Sequence, residues 1–149
     1  MIGVYNLQKN TRINRQFVLE VARKTIRSVK DSHSNKYSLN IIFVNNQYIK
    51  RLNRSYLNRN YATDVIAFSM EEGQRLKDPS RLKERALGDV YISVEKARAQ
   101  AKRLGHSIKR EIATLVIHGI LHLAGYDDIK RIDRMKMQRK TERILNLII

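Results

Sequence analysis

Residues 112–124, Ile-Ala-Thr-Leu-Val-Ile-His-Gly-Ile-Leu-His-Leu-Ala, are almost wholly apolar apart from His118 and His122. A helix on the surface of a small domain shows one apolar stripe, whereas a helix apolar all round has to be buried. Any fold of this chain must therefore surround the segment, and two imidazoles held there need partners, because an unpaired polar group resists removal from water. If residues 107–124 form one helix, the two rings lie about 40° apart around its axis and about 6 Å along it, within reach of one ion. Gly125 supplies the left-handed residue that ends a helix, and the reversing chain can bring Asp128 back as a third ligand.

The pattern H-x3-H-x2-G-x2-D spaces its ligands as the metzincin zinc peptidases do, with a carboxylate in place of the third histidine. Those enzymes carry Glu directly after the first His as general base. Gly119 stands at that position and cannot take a proton from water, so a peptidase is disfavoured. Three protein ligands and an open fourth position make a catalytic rather than a structural zinc site. The expected cofactor is one Zn2+, and the carboxylate also admits harder divalent ions such as manganese. The plainer reading, two satisfied core histidines, leaves the adjoining glycine and acid unexplained.

Thirty Lys and Arg against fourteen Asp and Glu give a net charge of +16, far beyond what solubility needs, and point to a polyanionic partner, nucleic acid first. With no cysteine, disulfides and thiolate metal sites are excluded. The 149 residues suffice for one domain, 1–149, with a core of its own. The amino end lacks a basic start followed by an apolar run, and no apolar stretch reaches membrane-spanning length, so a cytoplasmic protein with no membrane partner is expected.

Helix and strand periods alternate along the chain. Ile2 and Val4 mark a strand, and Thr11 is expected to cap a helix whose apolar face carries Phe17, Val21, Thr25 and Val29. Residues 37–44 read as a strand, Asn46 opens a helix through Ile49, Leu52 and Tyr56, and 63–70 read as a strand. Residues 71–86, with Pro79, a glycine and nine charges, read as an exposed loop. A strand over 87–94 follows, then a helix from Ser93 through Ala97, Ala101 and Leu104 to Gly105, then the histidine helix capped by Ser107. Residues 129–149 form a terminal helix that packs Ile132, Met135, Ile144, Leu145 and Ile148 on the core. The fold class is α/β (α+β): a single mixed sheet of about four strands covered by about five helices, the metal site on a central buried helix. Asp64 and Asp89, at strand starts, are expected to bond backbone amides. Glu111 is expected to hold Arg110 or another base, and His106 to belong to the helix cap.

Several segments together carry a family resemblance. Leu87-Gly88-Asp89-Val90-Tyr91-Ile92-Ser93, Gly105-His106-Ser107, Arg110-Glu111, the His118–Asp128 motif, Glu142 and Thr63-Asp64-Val65-Ile66-Ala67-Phe68-Ser69 resemble the YbeY endoribonucleases over roughly residues 50–145. The resemblance implies a cytoplasmic α/β enzyme, a single-strand-specific, metal-dependent endoribonuclease, usually with zinc. It also implies a role in ribosomal RNA maturation, including the 16S 3′ end, and in ribosome quality control, with single-stranded RNA, rRNA and the ribosome as partners.

Three positions depart from that family pattern. Asp128 replaces the third histidine, Leu57 stands where an arginine precedes T-D-V, and Ala62 replaces a proline. Arg59, two residues after Leu57, is the candidate to neutralise charge on the phosphate, with a solvent-facing loop arginine as the alternative. Asp127 is a candidate to orient or deprotonate the attacking water, although an acid there also suits a turn. Two other functions fit the residues: a metal-dependent hydrolase of another substrate class, such as a metzincin-like peptidase, and a non-catalytic ribosome- or RNA-binding factor.

Overall fold

Polar residues that accept a backbone amide start four of the helices, and they punctuate the whole chain. The computed structural model describes residues 1–29, 37–70 and 85–149. Its elements are β1 (Ile2–Asn6), α1 (Arg15–Ser28), β2 (Tyr37–Val44), α2 (Asn46–Leu57), β3 (Val65–Ser69), β4 (Arg85–Ser93), α3 (Val94–Leu104), α4 (Ile108–Leu123) and α5 (Arg131–Ile148). Asn14, Asn45, Ser93 and Ser107 cap α1 to α4, each accepting from the amide three residues on, which satisfies a donor with no partner inside the helix.

Asn14, not Thr11, therefore starts α1. Thr11 is held elsewhere: its amide and carbonyl both bond the Gln8 side chain, at 2.9 and 2.6 Å, and its hydroxyl meets Arg98.

The strands form one sheet in the order β1-β2-β4-β3. β1 and β4 flank β2 in parallel, and β3 runs antiparallel to β4. Ile41 to Val44 of β2 are all buried, as befits a strand covered on both faces. Where β2 meets β4 the register slips by one residue between Ser38 and Leu39. Gly88 sits at this irregularity with φ of 141° and with the Phe68 carbonyl 2.0 Å from where a Cβ would lie, so only glycine fits.

α4 lies at the centre, packed on α1, α3, α5, β3 and β4. Ten of its sixteen residues are buried, the burial its apolar sequence demands. Gly119 lets the helix lie close against the sheet, because a Cβ there would stand 2.3 Å from Val90 Cγ1.

The terminal helix differs from expectation in its face. Met137, Thr141, Ile144 and Leu145 are buried, a stripe spaced four, three and one apart, whereas Ile132 and Met135 are 60% and 43% exposed because they lie off it. β4 spans 85–93 rather than 87–94, so Arg85 and Ala86 belong to the sheet and not to the loop expected over 71–86. The rest of that loop, 71–84, lies outside the described residues. Among the described residues no helix is long and apolar enough to cross a membrane.

Candidate metal centre and cleft

α4 ends in a Schellman turn. The Gly125 amide bonds the His122 carbonyl at 3.0 Å and the Tyr126 amide bonds the Leu121 carbonyl at 2.9 Å, with Gly125 at φ 100°. Tyr126 then packs its ring on the core, which fixes the direction of the outgoing chain. Asp127 Oδ1 accepts from the Ile129 amide at 2.7 Å, a local turn bond. Arg134, one turn into α5, donates to the carbonyls of Ile129 at 3.0 Å and Asp128 at 3.5 Å. Asp128 is thus presented by a turn held from both sides.

Its carboxylate points back at the helix, with Oδ2 3.7 Å from His122 Nε2. Two ligands about 2.0–2.1 Å from one tetrahedral ion stand about 3.3 Å apart, so a few tenths of an ångström separate this pair from a chelating geometry. The carbonyl end of α4 carries partial negative charge, which favours a cation there. One turn earlier, His118 has its pKa lowered, chiefly by burial and also by His122, against the pull of Asp64, Glu111 and Asp128. A neutral ring is the form that ligates a metal. Among the described residues no three acidic or histidine side chains converge tightly enough, as they stand, to hold an ion. Of the described residues, His122 and Asp128 are the one imidazole–carboxylate pair near this helix end, and both are of types that ligate divalent cations.

His118 and Asp128 open onto a cleft of about 490 Å³ between α4 and α5. Its walls include His106, Glu111, Thr114, Arg134, Gln138 and Glu142. Glu111 is 4% exposed and its partner is His106, with 2.6 Å between Oε2 and Nε2. Arg110, the expected partner, turns instead to Glu142 at 3.4 Å. His106 is therefore more than a neighbour of the cap, because its ring is the hydrogen-bond partner of a buried carboxylate beside the cleft.

The other sequence candidates are placed apart. Arg59 is exposed, meets the Tyr61 hydroxyl at 3.5 Å and is not among the walls of the cleft. Asp127 lines a different depression with Asp133 and Lys136. Asp64 bonds the Val65 amide at 2.8 Å as expected, and also Gln100 at 3.1 Å. Asp89 is not at a strand start: it is the fifth residue of β4 and accepts from the Asn40 side chain at 3.0 Å. Sequence reasoning passed over Arg134 and Thr114 as cleft residues and missed the pairing of His106 with Glu111. The available signal was Glu111 itself, seven residues before His118 and so on the same helical face.

Fold and cleft define an α+β protein whose chemistry-bearing side chains sit on one buried helix and on the turn that follows it. The family model for Endoribonuclease YbeY matches residues 3–148, and the chain belongs to that family. Endoribonuclease YbeY of Caldicellulosiruptor bescii is 37% identical over 149 residues, covering 97% of this chain and 94% of that protein. The protein of the same name from Caldicellulosiruptor saccharolyticus is 43% identical over 113 residues, covering 73% of this chain and 72% of its own. That of Clostridium botulinum strain 657 is 36% identical over 159 residues, covering 97% and 96%. A solution structure of a Thermotoga maritima protein superposes on 99% of this chain and 89% of its own with a TM-score of 0.63 at 25% identity. The resemblance read from the motifs and the α+β fold, with four strands and five helices among the described residues, are both borne out.

Proposed function

We propose that this chain is a metal-dependent endoribonuclease that hydrolyses single-stranded RNA in the cytoplasm, acting on ribosomal RNA, including the 16S 3′ end, and on ribosomes under quality control. The observation that carries the reading is the approach of Asp128 to His122, with His118 one turn away at the mouth of the cleft, in a chain of this family. His118, His122 and Asp128 would hold one divalent cation, zinc first. When bound, the ion supplies Lewis-acid polarisation of a phosphate oxygen and lowers the pKa of its water.

The protein's own groups do the rest. Burial keeps His118 unprotonated and available, the Schellman turn and Arg134 hold Asp128 in place, and the 2.6 Å contact of Glu111 with His106 gives the buried carboxylate in the cleft wall a hydrogen-bond partner. No step is assigned to Arg59, whose guanidinium meets Tyr61, or to Asp127, whose carboxylate closes a turn. The Asp128 carboxylate brings more negative charge than a histidine would, so metal-bound water there should be less acidic than at a three-histidine site.

A peptidase of the metzincin kind is disfavoured on steric grounds as well as chemical ones. The position that must carry glutamate is Gly119, and Val90 occupies the space its side chain needs.

The test is cleavage of a single-stranded RNA by the purified protein and by His118→Ala, each stripped with chelator and then given zinc. Zinc should restore the wild type, and His118→Ala should be slower by about a thousandfold, the loss of roughly 4 kcal/mol of transition-state stabilisation. Equal cleavage by both proteins would overturn the proposal.

A further inference from the structure

A second groove, of about 530 Å³, runs along the outer side of α5 and is lined by Met135, Gln138, Arg139, Glu142, Arg143 and Asn146. Gln138 and Glu142 also wall the cleft that holds His118. The two depressions therefore adjoin along α5, with Gln138 and Glu142 on the ridge between them.

Charge gives that groove a direction. Residues 130–143 hold seven Lys and Arg against two acids, Asp133 and Glu142. Asp133 faces the depression beside Lys136 and Asp127, and Glu142 is already paired with Arg110. Lys140 is spent internally on the Ser28 carbonyl at 2.7 Å. Arg139 and Arg143 are exposed and, among the described residues, form no ion pair with a carboxylate. They stand one turn apart on a single face. Two unneutralised guanidinium groups beside a 43% exposed methionine offer phosphate contacts next to an apolar surface, the pairing that holds single strands.

We infer that the outer groove of α5 is the track for single-stranded RNA extending beyond the scissile phosphate, with Arg139 and Arg143 binding its backbone and Met135 underlying a base. The inference rests on the reading of the cleft as the RNA site. Continuity with the cleft favours the substrate strand itself over an acidic protein surface.

The test compares dissociation constants of the metal-loaded protein for RNAs of about four and about twelve nucleotides, read by stopped-flow polarisation before cleavage proceeds. Wild type should prefer the longer RNA. Arg139→Gln/Arg143→Gln should lose that preference and show a salt slope shallower by about 1.4, about 0.7 for each phosphate contact on a single strand. Each single variant should show half that change. Arg23→Gln/Arg27→Gln on α1 removes the same charge from an exposed face and should keep both the preference and the slope, and thermal unfolding checks that all variants fold. An unchanged length preference in Arg139→Gln/Arg143→Gln, or an equal loss in the α1 variant, would overturn the inference. A wild type that shows the track but cleaves no RNA would instead refute the nuclease reading alone.

Discussion

Replacing Gly119 by alanine sets two known effects against each other. Alanine gains about 1 kcal/mol over glycine inside a helix. Here its methyl would stand 2.3 Å from Val90 Cγ1, 3.0 Å from Cγ2 and 3.2 Å from Cβ. Rotating Val90 cannot clear the space, because its Cβ is itself too near and the residue is fully buried. α4 must then move off β4, and overpacking of this kind costs about 1–3 kcal/mol. With so short a contact the upper part of that range applies, which leaves a net loss of about 1–2 kcal/mol after the propensity gain. For a chain of this size that is a fall in Tm of about 2–8 °C, measurable by calorimetry or by circular dichroism. Val90→Ala removes both γ-methyls, so Gly119→Ala/Val90→Ala should be more stable than the two single losses summed, by about 1 kcal/mol. A Gly119→Ala protein as stable as wild type, or additive energies in the double variant, would refute the packing argument and with it the steric case against a glutamate at this position.

Gly88→Ala should lose more, about 2–4 kcal/mol, since it adds a left-sided φ to a Cβ placed on the Phe68 carbonyl; the urea midpoint checks it. Glu111→Ala strips His106 of its 2.6 Å partner and should cost about 1–3 kcal/mol of unfolding free energy. Burial first, then the charges of Tyr48, Asp89 and Tyr56, raise the Tyr91 phenol above its ordinary value of 10.0. A pKa higher in the folded than in the unfolded chain means a contribution that is whole below about pH 10 and lost above it. Tyr91→Phe should therefore lose less stability than wild type as the pH is raised past 10.0, by denaturant midpoints at each pH.

What the sequence made legible follows from how local each signal is. α4 could be placed because an all-apolar segment admits one environment, and Ser107 and Gly125 mark its ends by short-range hydrogen bonding and backbone handedness. The strand over 37–44 was readable because both of its faces are apolar where the sheet is deepest. The cap of α1 lies at Asn14 and not Thr11 because both are capping types, and Thr11 is engaged by Gln8 and by the remote Arg98. The face of α5 differs for a similar reason: Ile132 and Met135 are as apolar as Met137 and Ile144, and packing against α4 and α1 selects the buried stripe. The approach of Asp128 to His122 could be anticipated from the turn, whereas the cleft and the contact of His106 with Glu111 depend on packing between elements that no local pattern records.

Titration of zinc into the chelator-stripped protein, followed by calorimetry, addresses the centre itself. The account predicts one ion per wild-type chain, weaker uptake by Asp128→Ala, and none of comparable affinity by His118→Ala/His122→Ala. Uptake of one ion by the double variant as tight as in the wild type would contradict it.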